Sequence, residues 1–182
     1  MPHPTLSLDA TRRRFLGSAA VATPLLASLS GKAAGVADAM QVSGYLPDYR
    51  LAGFQADRCR LLTDLVCFSI QLEASGELDA AAAAKKVSGF KKLAGNSERP
   101  VPLCIGGWER SVGFSKASAT AASRRLFGEQ LSLFCRDHEF AGVDIDWEHP
   151  KGAGQLANYK LLLQGVARVF HDQGLRVSVA LP

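Results

Sequence analysis

Three carboxylates at alternate positions, Asp144, Asp146 and Glu148, constrain this chain more than any other feature. They lie in the stretch Phe140-Ala-Gly-Val-Asp-Ile-Asp-Trp-Glu-His-Pro150. Successive side chains of a strand point to opposite faces, so a strand here lines the three acids along one face and Val143, Ile145 and Trp147 along the other. The pleat holds same-face neighbours within roughly 7 Å, and repulsion with desolvation penalises ionising all of them. A strand that only had to fold would avoid this cost.

The same crowding has a chemical use. Close like charges raise at least one carboxyl pKa, and a carboxyl that keeps its proton near neutrality can act as a general acid. Glu148 is the candidate, being the last of the three, the longest in reach and the nearest to the loop Pro150-Lys-Gly-Ala-Gly154. Asp146 is then its charged or proton-sharing neighbour. The residues alone leave two plainer alternatives open, an acidic edge strand in water and a loop that binds a cation through Asp-x-Asp.

Upstream, the strand-like run Val101-Pro-Leu-Cys-Ile105 is followed by Gly106, Gly107 and Trp108. Paired glycines at a strand end permit unusual backbone angles or close approach of a ligand, and Trp108 offers a flat face suited to a sugar ring. A plain turn with a core tryptophan fits the same residues.

Ala141-Gly-Val-Asp-Ile-Asp-Trp-Glu148 resembles the Asp-Gly-x-Asp-x-Asp-x-Glu signature of glycoside hydrolase family 18, the chitinases and their relatives. Ala141 stands in place of the first Asp, and the three acids that matter for chemistry all match. Cys104-Ile-Gly-Gly107 likewise resembles the family's Ser-x-Gly-Gly motif, with Cys104 in place of a serine that helps hold the acidic row. A thiol is the weaker donor.

The resemblance implies a TIM-type (β/α)8 barrel and retaining hydrolysis of β-1,4 bonds in chitin or N-acetylglucosamine oligosaccharides. In this family the substrate's own acetamido group replaces a protein nucleophile, a known property that this sequence does not itself show. Glu148 would protonate the glycosidic oxygen, Asp146 would orient the acetamido group, and Asp144 would tune Asp146. Tyr45, Phe68, Gly106, Gly107, Trp108 and Glu109 would shape the sugar cleft. His149, standing where relatives often have Tyr, would border it.

The first 39 residues read as a leader rather than as part of the fold. Thr11-Arg-Arg-Arg-Phe-Leu-Gly17 leads into an apolar, Ala-rich run from Ser18 to Leu29, resembling a twin-arginine export signal, and Ala37-Asp-Ala39 suits a signal peptidase. The run is short of the ~20 residues that a membrane span needs, and Pro24 interrupts it. The expected location is therefore periplasmic or secreted, with no membrane partner after cleavage and a mature domain over residues 40–182. The leader also explains the basicity. It holds four of the 21 basic residues (Arg12, Arg13, Arg14, Lys32) and two of the 17 acids (Asp9, Asp38), leaving 17 against 15. No basic stripe with interleaved aromatics remains, so nucleic acid is not an expected partner.

Cys59, Cys67, Cys104 and Cys135 lack the short spacings of zinc or redox sites, and none is expected to be catalytic. Their pairing is not fixed by the sequence. His3, His138, His149 and His171 show no metal-ligand spacing, so neither a metal nor a cofactor is expected.

From Gln41 the pattern alternates strands and helices. Strands are expected at 41–45, 65–70, 101–105, around the acidic row, and at 175–182. Helices are expected over Ala80–Leu93 with Gly95 as the stop, Ser118–Asp137 with Ala122, Leu126, Leu133 and Phe134 inward, and Gln155–His171 with Leu156, Tyr159, Leu163, Val166 and Phe170 inward. A loop and a short helix are expected between the first two strands. Such alternation implies a parallel sheet with working residues at the carboxyl ends of strands.

A full barrel takes roughly 250 residues, so the resemblance over residues 41–182 corresponds to the first half of the family domain, truncated after about five strands. The later strands of relatives supply a Met-Tyr-Asp motif and a tryptophan under the sugar. The expectation is a truncated gene product or fragment, weak in catalysis as a monomer, with self-association of half barrels as a route to a complete site. An inactive chitin-binding, lectin-like protein is the alternative.

Overall fold

The computed structural model of the protein describes residues 40–181. The expected export signal lies outside them. Five strands, β1 (Ser43–Pro47), β2 (Asp64–Ile70), β3 (Pro102–Gly106), β4 (Gly142–Asp146) and β5 (Arg176–Val179), form one parallel sheet in the order β1-β2-β3-β4-β5. Each new strand is added to the same side, with no reversal of order. That is how a barrel is wound; a doubly wound sheet reverses partway.

Helices return the chain between strands. The β1–β2 connection is two 3-10 helices, Asp48–Gly53 and Ala56–Cys59, in place of the expected loop and single short helix. After β2 comes α1 (Ala80–Gly95), whose first turn is capped by Asp79 accepting from the amides of Ala81 and Ala82 at 3.1 and 3.0 Å. A short α2 (Phe114–Ala117) and a longer α3 (Ala121–Asp137) follow β3, and α4 (Gly152–His171) follows β4. Thr120 and Ser123 form a reciprocal capping box that starts α3 three residues later than the sequence pattern suggests.

The core lies between the helices and one face of the sheet. Leu65, Cys67, Leu103, Ile105, Val143 and Ile145 from the strands meet Val87, Phe90, Phe127, Leu131, Leu162, Val166 and Phe170 from the helices. Two inward faces differ from expectation. On α3, Phe134 is buried as expected, but Ala122 is exposed, as are Leu126 (40%) and Leu133 (51%), and Phe127, Leu131 and Cys135 are buried instead. Phe127, one residue on from Leu126, takes the inward place, its ring meeting Phe114 at 6.1 Å. On α4, Leu156 is exposed (54%); the buried stripe begins at Tyr159, whose ring meets Trp147, and runs through Leu162 rather than through Leu163, which is half-buried.

The opposite face is polar and concave. Arg176 on β5 donates to both carboxylate oxygens of buried Asp64 on β2, to Oδ2 at 3.3 Å. On a flat sheet these strands would stand three spacings apart, roughly 14 Å, so the sheet must curl with this face inside. Ser43 and Thr63 donate to the same carboxylate. Replacing Arg176 with Met should cost about 2 kcal/mol, because Asp64 stays buried and loses its charged partner. A urea titration showing an unchanged midpoint would mean that the pair does not hold the curl.

Candidate active site

Asp144 and Asp146 point into this concave face from the carboxyl half of β4. Asp144 is 2% exposed. Its Oδ2 accepts from the Tyr45 hydroxyl on β1 at 2.8 Å, and its Oδ1 accepts from Ser178 on β5 at 2.6 Å. Tyr45 thus serves the acidic row directly as well as lining a cavity. Burial, together with the bond and charge of Asp144, pushes the Tyr45 phenol well above its ordinary range, so it stays a donor.

Asp146 is half-buried at the end of β4, and its carboxyl is pushed up from the usual range by burial, then by the charges of Glu148 and Asp144. Like-charge crowding within the row is thus felt at Asp146, the neighbour expected to share a proton with Glu148. The strand itself stops there. Glu148 lies beyond it, in a turn whose next residue, His149, has a positive φ of 53°. The two-residue period thus carries two of the three acids, and a separate contact sets the third. The Ser111 hydroxyl accepts from the amide of Glu148 at 3.0 Å and lies 3.2 Å from the carbonyl of Gly107 and 3.3 Å from that of Asp146.

The glycines of the β3 end work by close approach of backbone. Gly106 has φ +100°, and a Cβ there would meet the carbonyl oxygen of Asp146 at 2.2 Å. Gly107 has φ +101°, donates its amide to that same oxygen at 2.8 Å, and leaves room for the ring of Phe68. Both glycines are buried, so they shape the cleft from beneath. Phe68 meets Tyr45 edge-on at 6.2 Å and lies under the guanidinium of Arg110, which donates to the Ser69 hydroxyl at 3.0 Å.

Two cavities open on either side of Glu148. One, of about 420 Å³, is lined by Tyr45, Pro47, Phe68, Asp146, Ala180 and Leu181. The other, of about 470 Å³, is lined by Trp108, Glu109, Ser111, His149, Lys151 and Gln155 among others. Trp147 and Glu148 line both. Trp108 is 66% exposed and meets His149 edge-on at 5.7 Å, so its indole is a surface wall rather than a core residue. Trp147, by contrast, is anchored in the core, stacked on Phe114 at 5.4 Å.

All ten residues singled out in the sequence therefore gather around the ends of β1 to β4, with Trp108, Glu109 and His149 on one side of Glu148 and Tyr45 and Phe68 on the other. Ser111 and Ser178 were not among them. The alternation Arg-Val-Ser-Val on β5 marks Ser178 as sharing a face with Arg176; nothing local marks Ser111. Cys104 is fully buried, and its thiol is held far above its ordinary range by burial, Asp144 and Asp146, against a smaller lowering by Arg110. All four cysteines are free, and among the described residues no group of three or more His, Cys, Asp or Glu is placed to hold a metal ion.

Comparison with known proteins gives the arrangement a family. Chitinase 1 of Aphanocladium album is 45% identical over 71 residues, covering 39% of this chain and 17% of that protein. Endochitinase 1 of Metarhizium robertsii is 42% identical over 95 residues, covering 48% and 22%. The Group IV chitinase of Ostrinia furnacalis, solved in complex with allosamidin, superposes with a TM-score of 0.66 at 24% identity, covering 79% of this chain and 44% of that one. That likeness is one of fold, the parallel α/β winding of the barrel chitinases. The chain spans about a fifth of these curated relatives and under half of the solved structure. The model of the glycosyl hydrolases family 18 matches residues 41–182, and the chain belongs to that family.

Proposed function

We propose that this chain hydrolyses β-1,4 bonds between N-acetylglucosamine units of chitin or its oligosaccharides, with retention, and that it acts after export to the periplasm or outside the cell as a domain spanning residues 40–182. The observation that carries this reading is the placement of Glu148 between two cavities, beside a carboxyl that is pushed toward its protonated form. A glycan lying across both cavities presents its scissile oxygen to Glu148. The relatives' names, chitinase and endochitinase, support the substrate class.

In this scheme Glu148 gives its proton to the glycosidic oxygen as the C1–O bond breaks. The carbonyl oxygen of the substrate's acetamido group forms the new bond to C1, and Asp146 holds the acetamido N–H. Water then opens that intermediate from the opposite side, returning a proton to Glu148. Asp144 stays beneath as a fixed charge. Trp108 and His149 form a wall for the sugars on one side, and Tyr45 and Phe68 for those on the other.

The test is the product. Proton NMR of an N-acetylchitooligosaccharide digest should show the β-anomer first, and a de-N-acetylated oligosaccharide should resist cleavage. Appearance of the α-anomer first would contradict the scheme. Ser111→Ala should lower the rate about tenfold with little change in melting temperature, since it frees the Glu148 backbone without touching the core. An unchanged rate would show that the turn holds Glu148 without Ser111.

A further inference from the structure

Cys104, Asp144 and Ser178 stand side by side in register on β3, β4 and β5. Each flank of Asp144 therefore offers one side chain, and the two are chemically unequal. Ser178 donates a short hydroxyl bond to Oδ1 at 2.6 Å, while the thiol of Cys104 is a weak donor. With Tyr45 on Oδ2 at 2.8 Å, each oxygen of the buried carboxyl has a hydroxyl partner, one from β1 and one from β5.

We propose that Ser178 is a positioning residue of the reaction, holding Asp144 from β5 in the way that a hydroxyl at position 104 would hold it from β3. The inference rests on the reading of Asp146 and Glu148 as the reacting carboxyls. Ser178 sits on the exposed strand β5 and reaches the acidic row only through Asp144. Its effect on chemistry is indirect. A charge fixed at Asp144 is one of the causes that raise the Asp146 carboxyl, after burial and Glu148. Without the β5 hydroxyl, Oδ1 of a buried carboxyl loses its donor, so the group is no longer fixed in place beside Asp146.

The experiment compares the full chain with Ser178→Ala, Ser178→Thr and the double variant Ser178→Ala/Cys104→Ser. Each is assayed for kcat and KM on an N-acetylchitooligosaccharide and by the side-chain carboxyl ¹³C resonance of Asp144. Ser178→Ala should lower kcat about tenfold and leave KM within about twofold, because the lost contact is not with substrate. Ser178→Thr and the double variant should restore kcat, and the Asp144 resonance should move in Ser178→Ala and return in both. A structural role alone predicts no rescue from the other flank. An unmoved kcat and resonance in Ser178→Ala, or a double variant as impaired as the single, overturns the proposal. If the wild-type chain turns nothing over, the functional reading fails by itself, and the resonance decides whether Ser178 holds Asp144.

Discussion

Glu148→Gln is expected to lower hydrolysis of an N-acetylchitooligosaccharide by a factor of about 10²–10⁴ while leaving its binding within about twofold. Glutamine keeps the shape and hydrogen-bonding length of the side chain and removes the transferable proton. The backbone of the residue is held by Ser111, and Trp147 is held by its stacking on Phe114, so the substitution leaves both cavities in place. Kinetics on the oligosaccharide and calorimetric titration of the same ligand separate the two effects. Equal rates for the two proteins would remove Glu148 from the mechanism. Loss of binding together with rate would mean that Glu148 works as a ligand contact.

The second large effect is on folding. Gly106→Ala should destabilise the protein by roughly 3 kcal/mol or more, because alanine disfavours a φ of +100° and its methyl group would overlap the main chain of β4. The overlap is with backbone, the Asp146 carbonyl oxygen at 2.2 Å, and with the ring of Phe114 at 2.6 Å. Neither is the end of a flexible side chain. Relief would require β4 to move away from β3, taking Asp146 and the amide bond from Gly107 with it. Urea denaturation measures the loss. A midpoint within about 0.5 kcal/mol of wild type would show that the strand ends can separate freely, and the site would then have no rigid floor.

What the sequence made legible was what local periodicity encodes. The two-residue alternation in Gly142–Asp146 placed Asp144 and Asp146 on one face and Val143 and Ile145 on the other; Val143 and Ile145 join the apolar core, while Asp144, equally buried, is held by Tyr45 and Ser178. Glu148 was found by its spacing, but its position comes from a turn with His149 at positive φ and from Ser111, 37 residues away in the chain. Ser178, 34 residues from Asp144, was hidden for the same reason. Periodicity tells which face a side chain takes, not which strand curls round to meet it. The helix faces show a different limit. In α3, Leu126 and Leu133 share a spacing of seven with Phe127 and Phe134, so two stripes fit the pattern equally. Phe127, which meets Phe114, and Phe134 take the buried side. The paired glycines were read as allowing unusual backbone angles or close approach of a ligand; both have positive φ, and the group that approaches Gly106 is the neighbouring strand.

The measurement that tests the central claim most directly is release of fluorophore from a fluorogenic N,N'-diacetylchitobioside by the purified full chain, with a circular-dichroism melt on the same sample. The account predicts turnover that is lost in Glu148→Gln, from a protein that melts cooperatively. A cooperative melt with no release above the Glu148→Gln level would contradict it, leaving a folded family 18 sheet whose acidic row does not act on chitin.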